Sequence, residues 1–162
     1  MELDLARLLD VLHHHHVDYV LIGGMAAVFH GSPFPTEDAD ITPSQDVANL
    51  EKLSAALTEL NARIRDDTVA GGLPFGHDAT SLAAATVWNL TTDAGDLDIS
   101  FVPDGTTGYP DLTRDAENAT IYDVTVRIAS LADIIRSKQA ANRPKDQRVL
   151  PTLREILSRR ND

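Results

Sequence analysis

The sequence has 162 residues, of which 43% are hydrophobic, and this size and composition fit one globular domain spanning residues 1–162 around a single core. It contains no cysteine, which excludes disulfides and thiolate metal sites, so oxygen or imidazole must hold any metal. No window approaches the roughly 18 unbroken apolar residues of a membrane helix, and the N-terminus is acidic rather than basic. We therefore expect a cytoplasmic protein with no membrane partner.

The net charge is −11, which argues against general nucleic-acid binding because such binding depends on Lys and Arg displacing counterions from phosphate. The charge is unevenly distributed. Residues 1–126 contain 5 Lys and Arg against 21 Asp and Glu, whereas residues 127–162 contain 9 against 4. This basic C-terminal segment could face a phosphate-bearing ligand or could be a solvated helix surface, and the sequence leaves both readings open.

Hydrophobic periodicity and turn residues predict helices mixed with strands. The predicted helices cover residues 3–12, 24–30, 46–61, 111–116, 130–142 and a final stretch that begins at Pro144. The predicted strands cover 18–23, 38–42, 85–92, 96–102 and 119–129. Residues 93–95 form the turn of a hairpin, and residues 66–80 resemble a loop. This order predicts an α/β or α+β fold around one mixed sheet.

Two glycines separate the first predicted strand from the short helix after it. A strand that ends in Gly23-Gly24 and turns at once into a helix leaves backbone amides free at the helix N-terminus, and residues without side chains let an anion approach them. This is the outline of a phosphate-binding turn. The same two glycines are also typical of a tight turn without a ligand, so they do not decide the matter alone.

Carboxylates alternate along two of the predicted strands. Asp38 and Asp40 are two residues apart, so both project from one strand face while their neighbours point into the core. Asp96, Asp98 and Ser100 repeat this arrangement. If the two strands are neighbours, Asp98 joins the first pair in a cluster suited to Mg²⁺ or Mn²⁺, and one carboxylate can accept a proton from an attacking hydroxyl. Two edge strands with solvated faces are the alternative.

The spacing of these features resembles that of the DNA polymerase β-like nucleotidyltransferase superfamily. The shared pattern is an apolar residue, Gly-Gly, thirteen residues, Asp-x-Asp-Ile and a later lone aspartate in a strand, here Asp98 in LDISF. Within it, residues 18–41, DYVLIGGMAAVFHGSPFPTEDADI, are similar to small bacterial proteins related to the AbiEii toxins and the mycobacterial MenT toxins. Residues 131–157 resemble the C-terminal helix pair of that group, in which Arg-x-Lys-Asp follows a helix lysine.

The resemblance implies a minimal nucleotidyltransferase fold, with a mixed sheet flanked by helices and a C-terminal helix pair. It implies Mg²⁺-dependent transfer of a nucleotidyl group from a nucleoside triphosphate (NTP) to an acceptor. The implied residues are Asp38, Asp40 and Asp98 as metal ligands and catalytic carboxylates, Gly23 and Gly24 as triphosphate contacts, Lys138 as the catalytic cation, and Arg143, Lys145 and Asp146 as further members of the nucleotide site.

The resemblance to toxins also implies partners. The acceptor would be tRNA and a cognate antitoxin protein would bind the chain, although a small-molecule or protein acceptor stays open. Two positions depart from the superfamily pattern, since Gly24 stands where many members have Ser and Phe34 stands where many relatives have Arg. A missing cation weakens phosphate binding, so the alternative is a non-catalytic or antitoxin-like binding protein with the same fold.

Overall fold

A mixed sheet of seven strands organises the chain, in a computed structural model that describes residues 2–161. The strands are β1 (Tyr19–Ile22), β2 (Ala39–Pro43), β3 (Arg63–Ile64), β4 (Val87–Thr92), β5 (Gly95–Ser100), β6 (Glu117–Ile121) and β7 (Val124–Ile128). The helices are α1 (Leu5–His14), α2 (Gly23–Phe29), α3 (Val47–Glu59), α4 (Ala79–Ala83), α5 (Tyr109–Arg114), α6 (Leu131–Ala141) and α7 (Pro144–Arg160). No helix within residues 2–161 combines the length and apolar character needed to cross a membrane.

The strand order across the sheet is β3-β4-β5-β2-β1-β7-β6. Strand β2 lies at the centre, antiparallel to β1 on one side and parallel to β5 on the other. Strand β1 is also parallel to β7, and the antiparallel pairs β4–β5 and β6–β7 complete the two halves. This arrangement is the predicted mixed sheet, and the β4–β5 hairpin around residues 93–95 is confirmed.

The core lies between the sheet and the amphipathic helices. Alternate side chains of the central strands, such as Ala39, Ile41, Leu97 and Ile99, have no solvent exposure. Helix α1 contributes Leu9 and adjacent leucines to the core from the helical layer, and α3 packs beside α1. Because strand side chains alternate between faces, burying this set turns the residues between them towards the opposite face of the sheet.

The predicted helix starts of the C-terminal pair are also confirmed. The Ser130 side chain accepts a hydrogen bond of 3.1 Å from the Asp133 amide and caps α6, and Pro144 occupies the first turn of α7. Helices α6 and α7 pack against each other, and α6 also contacts α2. The basic C-terminal segment is thereby brought against the glycine turn at the start of α2.

Two local predictions were wrong. The run 119–129 is not one strand but the hairpin β6–β7, which turns at Tyr122 and Asp123 with φ values of 49° and 66°. Such a turn usually carries Asn-Gly or Asp-Gly, so the Tyr-Asp pair hid it from the sequence pattern. The predicted loop 66–80 also contains structure, because Leu73 pairs with Ile64 in a β-bridge and α4 begins at Ala79.

Candidate active site

Polar residues form one row across the centre of the sheet. Asp40 on β2 lies directly beside Asp98 on the parallel strand β5, and Asp98 in turn lies opposite Asn89 on β4. On the other side, Asp40 faces Ile22, the last residue of β1. The strands are therefore neighbours, as the carboxylate pattern required. We call Asp38, Asp40 and Asp98 the acid cluster.

The glycine turn lies against the acid cluster. Gly23 follows Ile22 with a φ of +70°, a conformation that other residues rarely adopt. A Cβ atom at Gly23 would overlap the Asp40 carboxylate, coming within 2.8 Å of its Cγ. A Cβ at Gly24 would lie 3.0 Å from the Thr36 hydroxyl. Glycine is therefore needed at position 23, because the start of α2 approaches the carboxylate so closely.

Burial and like charges act together on the acid cluster. Burial, followed by the charges of Asp98 and Asp38, raises the pKa of Asp40 to about 7, although Lys138 and Lys145 partly oppose the rise. Burial also raises the pKa of Asp98, against the opposing effect of Arg65. Carboxylates with raised pKa values in a cleft are typical of functional sites.

Arg65 is the site residue that the sequence analysis missed. Its backbone amide donates to the Asn89 carbonyl (3.0 Å), which places it just beyond β3 at the end of the polar row. Its Nη2 donates to Asp98 Oδ1 and to the Leu90 carbonyl, each at 2.9 Å, and its Nε lies 3.3 Å from Asp96 Oδ2. Strand β3 has only two residues, which is too short for a periodic pattern, so the sequence did not predict that Arg65 would contact β5.

The same cleft is lined by Lys138, Arg143 and Lys145 from α6 and α7, which we call the cationic wall. Arg143 Nε donates to Asp146 Oδ2 at 2.7 Å, and Lys138 Nζ lies 3.8 Å from Asp146 Oδ1. The Asp146 side chain is fully buried; burial raises its pKa, but hydrogen bonds and charge from Arg143 outweigh this and lower the pKa overall. Burial, together with the charges of Arg143 and Lys145, lowers the pKa of Lys138. Asp146 thus anchors the cationic wall.

One cleft of about 780 Å³ brings these groups together. The sequence-predicted site residues that line it are Gly23, Gly24, Asp38, Asp40, Asp98, Lys138, Arg143, Lys145 and Asp146. Arg65, Asn89 and Phe34 line the same cleft, and Phe34 is 38% exposed. Every residue that the sequence analysis assigned to the site therefore borders one cavity, while the chemical roles assigned to them stay predictions.

The acid cluster can be compared with the requirements of a divalent cation. Its donors are carboxylate oxygens, the ligands that Mg²⁺ and Mn²⁺ prefer, and the half-buried Asp40 carboxylate lies near two other acids. Within residues 2–161, no three Asp, Glu or His side chains stand in an arrangement that could already hold a metal ion. One oxygen of Asp98 is bonded to Arg65 instead. The donor chemistry fits a hard cation, and cation binding would require the side chains to move together.

The mixed sheet flanked by helices, with its C-terminal helix pair, matches the fold of solved nucleotidyltransferase structures. A crystal structure of the lincosamide antibiotic adenylyltransferase LnuA with lincomycin bound is similar to this chain with a TM-score of 0.62 and 16% identity. That match covers 96% of this chain and 99% of LnuA. At such identity the likeness establishes the fold.

Two further solved structures have the same fold. The Thermotoga maritima protein TM1012, a proposed nucleotidyltransferase, has a TM-score of 0.53 and 19% identity, covering 96% of this chain and 91% of its own. The antibiotic-resistance factor ANT(2'')-Ia has a TM-score of 0.53 and 15% identity, covering 96% and 89%. No protein-family model and no curated protein sequence matches this chain. The resemblance to the AbiEii and MenT toxins therefore stays a prediction.

Proposed function

We propose that this protein is a Mg²⁺-dependent nucleotidyltransferase that transfers a nucleotidyl group from an NTP to an acceptor hydroxyl in the cleft. The observation that carries the proposal is the side-by-side register of Asp40 and Asp98 beside the Gly23 turn, in one cavity that the cationic wall also lines. Acidic and cationic groups that line one cleft suit a reaction that depends on positioning and on neutralising phosphate charge.

Each group has a part in this proposal. Asp38, Asp40 and Asp98 would hold Mg²⁺, which when bound would neutralise charge on the triphosphate oxygens. Lys138, Arg143 and Lys145 bind the phosphates, and the amides of Gly23 and Gly24 approach them closely. The acceptor oxygen attacks the α-phosphorus, its proton passes to the Asp98 carboxylate, and pyrophosphate leaves.

Two acceptor classes are supported by different observations. The likeness to LnuA over 99% of that chain favours a small hydroxylated molecule, because LnuA is an adenylyltransferase of lincosamide antibiotics. The resemblance to the AbiEii and MenT toxins and the basic C-terminal segment favour tRNA, with the protein as the toxin of a toxin–antitoxin pair and an antitoxin as partner. Phe34 in place of the usual Arg is the feature that favours a non-catalytic binding protein.

The proposal is tested by incubating the protein and Mg²⁺ with each of the four NTPs, labelled on the α-phosphate. Total tRNA, a panel of small hydroxylated compounds that includes lincomycin, and the protein itself serve as acceptors. Label should transfer to one class, and Asp40→Asn should lower the rate about a thousandfold, since removing metal-dependent charge stabilisation costs several kcal/mol.

Asp93→Asn is the matched control, because Asp93 is an exposed turn residue that pairs with Arg63 away from the cleft. That variant should transfer label at the wild-type rate. Absence of both label transfer and NTP binding in the folded wild type would reject the enzyme. Binding of NTP without transfer to any acceptor would establish the binding protein instead.

A further inference from the structure

Arg65 is hydrogen-bonded to Asp98, a carboxylate that belongs to the proposed metal site. Nη2 donates to Asp98 Oδ1 at 2.9 Å, and the Leu90 carbonyl holds the same nitrogen from β4. The Asp98 side chain is 21% exposed and that of Arg65 is 30% exposed, so the pair is partly shielded from solvent. A charge-assisted hydrogen bond in such surroundings is stronger than one at the open surface.

The pair occupies an oxygen that a divalent cation would need. Within residues 2–161, no cation is hydrogen-bonded to Asp40 on the neighbouring strand, whereas Asp98 Oδ1 accepts a hydrogen bond from Arg65. This pairing is consistent with the absence of a formed metal cluster among residues 2–161. A cation that draws Asp98 towards Asp40 therefore has to weaken the bond to Arg65, and it meets the positive charge of the guanidinium as well.

We propose that Arg65 competes with the divalent cation for Asp98 and so keeps the metal site unoccupied until a nucleotide binds. Arg65 acts as an internal counter-ion that holds Asp98 in the free protein. The nucleotide brings phosphate oxygens that supply the ligands and negative charge needed to overcome this competition. The inference deepens the proposed function and rests on it, because it assumes that the acid cluster binds metal.

Arg63 offers a matched control on the same segment. It lies two residues earlier, on β3, and its Nη2 is 3.6 Å from Asp93 Oδ1 at the β4–β5 turn. It does not line the cleft, whereas Arg65 does. The substitutions Arg63→Gln and Arg65→Gln therefore remove the same charge from neighbouring positions, and only the second removes the partner of Asp98.

The test measures Mn²⁺ binding to the protein without nucleotide, by electron paramagnetic resonance of the free ion. Arg65→Gln should bind Mn²⁺ about tenfold more tightly than the wild type, as expected when a unit charge beside a partly buried site is removed. Arg63→Gln should bind as the wild type does. Addition of a non-hydrolysable NTP analogue should tighten Mn²⁺ binding much more in the wild type than in Arg65→Gln.

Asp98 provides the specific readout. Asp98→Asn should weaken Mn²⁺ binding, and in that background Arg65→Gln should increase affinity by about twofold at most, because the competition for the carboxylate is gone. If Arg65→Gln increased Mn²⁺ affinity tenfold in both backgrounds, the competition for Asp98 would be overturned. The increase would then reflect only the long-range electrostatic effect of removing a positive charge. If Arg65→Gln fails to fold, Arg65→Met replaces it, because methionine also removes both the charge and the hydrogen-bond donor to Asp98. Unchanged Mn²⁺ affinity in that variant overturns the inference.

The two proposals fail in different ways. If the wild type binds no Mn²⁺ that depends on Asp40, with or without an NTP analogue, the proposed function falls. If the wild type binds Mn²⁺ through Asp40 and Arg65→Gln binds it with the same affinity, the inference about Arg65 is overturned but the proposed function is retained.

Discussion

Two aspartates that line the cleft differ in the partners that their carboxylates have. Asp146 is fully buried, and both of its oxygens have cationic partners in Arg143 and Lys138. Asp40 is only half-buried, no hydrogen bond or ion pair to its carboxylate occurs within residues 2–161, and two like charges adjoin it. The pKa is lowered at Asp146 and raised at Asp40.

The difference separates a carboxylate that stabilises the fold from one that is poised to bind a ligand. A buried charge that already has its partners has little to offer a ligand, and losing it leaves those partners uncompensated. A buried charge without partners costs folding free energy, and a cation that satisfies it recovers that energy as binding. The contrast suggests that Asp146 anchors the site and that Asp40 belongs to its chemistry.

The largest effect is expected from neutralising the satisfied carboxylate. Asp146→Asn leaves Lys138 and Arg143 without their counter-ion and should lower the free energy of unfolding by about 4 kcal/mol, the usual cost of breaking a buried ion pair from one side. Urea unfolding at pH 8 measures this. Glu155→Gln, which removes an exposed partner of Arg159 elsewhere on α7, should change stability by less than about 0.5 kcal/mol.

The same change at the unsatisfied carboxylate should have the opposite sign. Asp40→Asn removes a charge whose pKa is raised from 3.8 to about 7, a shift that corresponds to about 4 kcal/mol. Because Asp40 is only half-buried, solvent screening reduces this, and the free energy of unfolding should increase by about 3 kcal/mol at pH 8. Urea unfolding again measures it. A loss of stability in Asp40→Asn would mean that the carboxylate is satisfied in solution and would remove the contrast with Asp146.

The pH dependence sharpens this prediction. Between about pH 4 and 7 the folded protein holds a proton on Asp40 that the unfolded chain has lost, so the stability of the wild type falls as the pH rises through that window. The stability advantage of Asp40→Asn should therefore be near zero below pH 4 and complete above pH 7. Titration of the unfolding free energy of both proteins measures it, and a constant difference across this range would contradict the raised pKa.

A smaller effect is expected at the turn that confines Asp40. Gly23→Ala should destabilise the fold by about 2 kcal/mol, since it combines a positive φ with overlap of the Asp40 carboxylate. Gly31→Ala also has a positive φ but no atom within 4 Å of the added Cβ, so it should cost about 1 kcal/mol. Thermal unfolding compares the two, and equal losses would show that the close approach to Asp40 is unimportant.

The smallest expected effect concerns position 34, where this chain has Phe and many members of the superfamily that it resembles have Arg. Phe34→Arg places a positive charge in the cleft, where it should tighten binding of an NTP about fivefold, as a partly exposed cation contributes about 1 kcal/mol. Isothermal titration calorimetry measures this affinity. Phe29→Arg is the control, because Phe29 is similarly exposed but lines a different groove. Equal gains in NTP affinity in both variants would mean that the added net charge causes the effect, and not its position in the cleft.

Most of the fold was predictable because its signals are local. Alternation along 38–42 and 96–102 correctly assigned buried and cleft-facing side chains, and Ser130 and Pro144 correctly marked helix starts. The β6–β7 hairpin was missed because Tyr122-Asp123 is an uncommon turn sequence. Strand β3 was missed because two residues carry no periodicity, and its existence depends on pairing with β4.

The sequence by itself determined which carboxylates share a strand face and where a glycine turn begins, because both follow from the period of a strand and the freedom of a residue without a side chain. Only the tertiary structure decided which charges meet. The strand order brings Arg65 to Asp98 across 33 residues of sequence, and the packing of α6 on α7 buries Asp146 between its cations. Ion pairs between distant residues depend on how the strands and helices assemble, and no local pattern encodes that assembly.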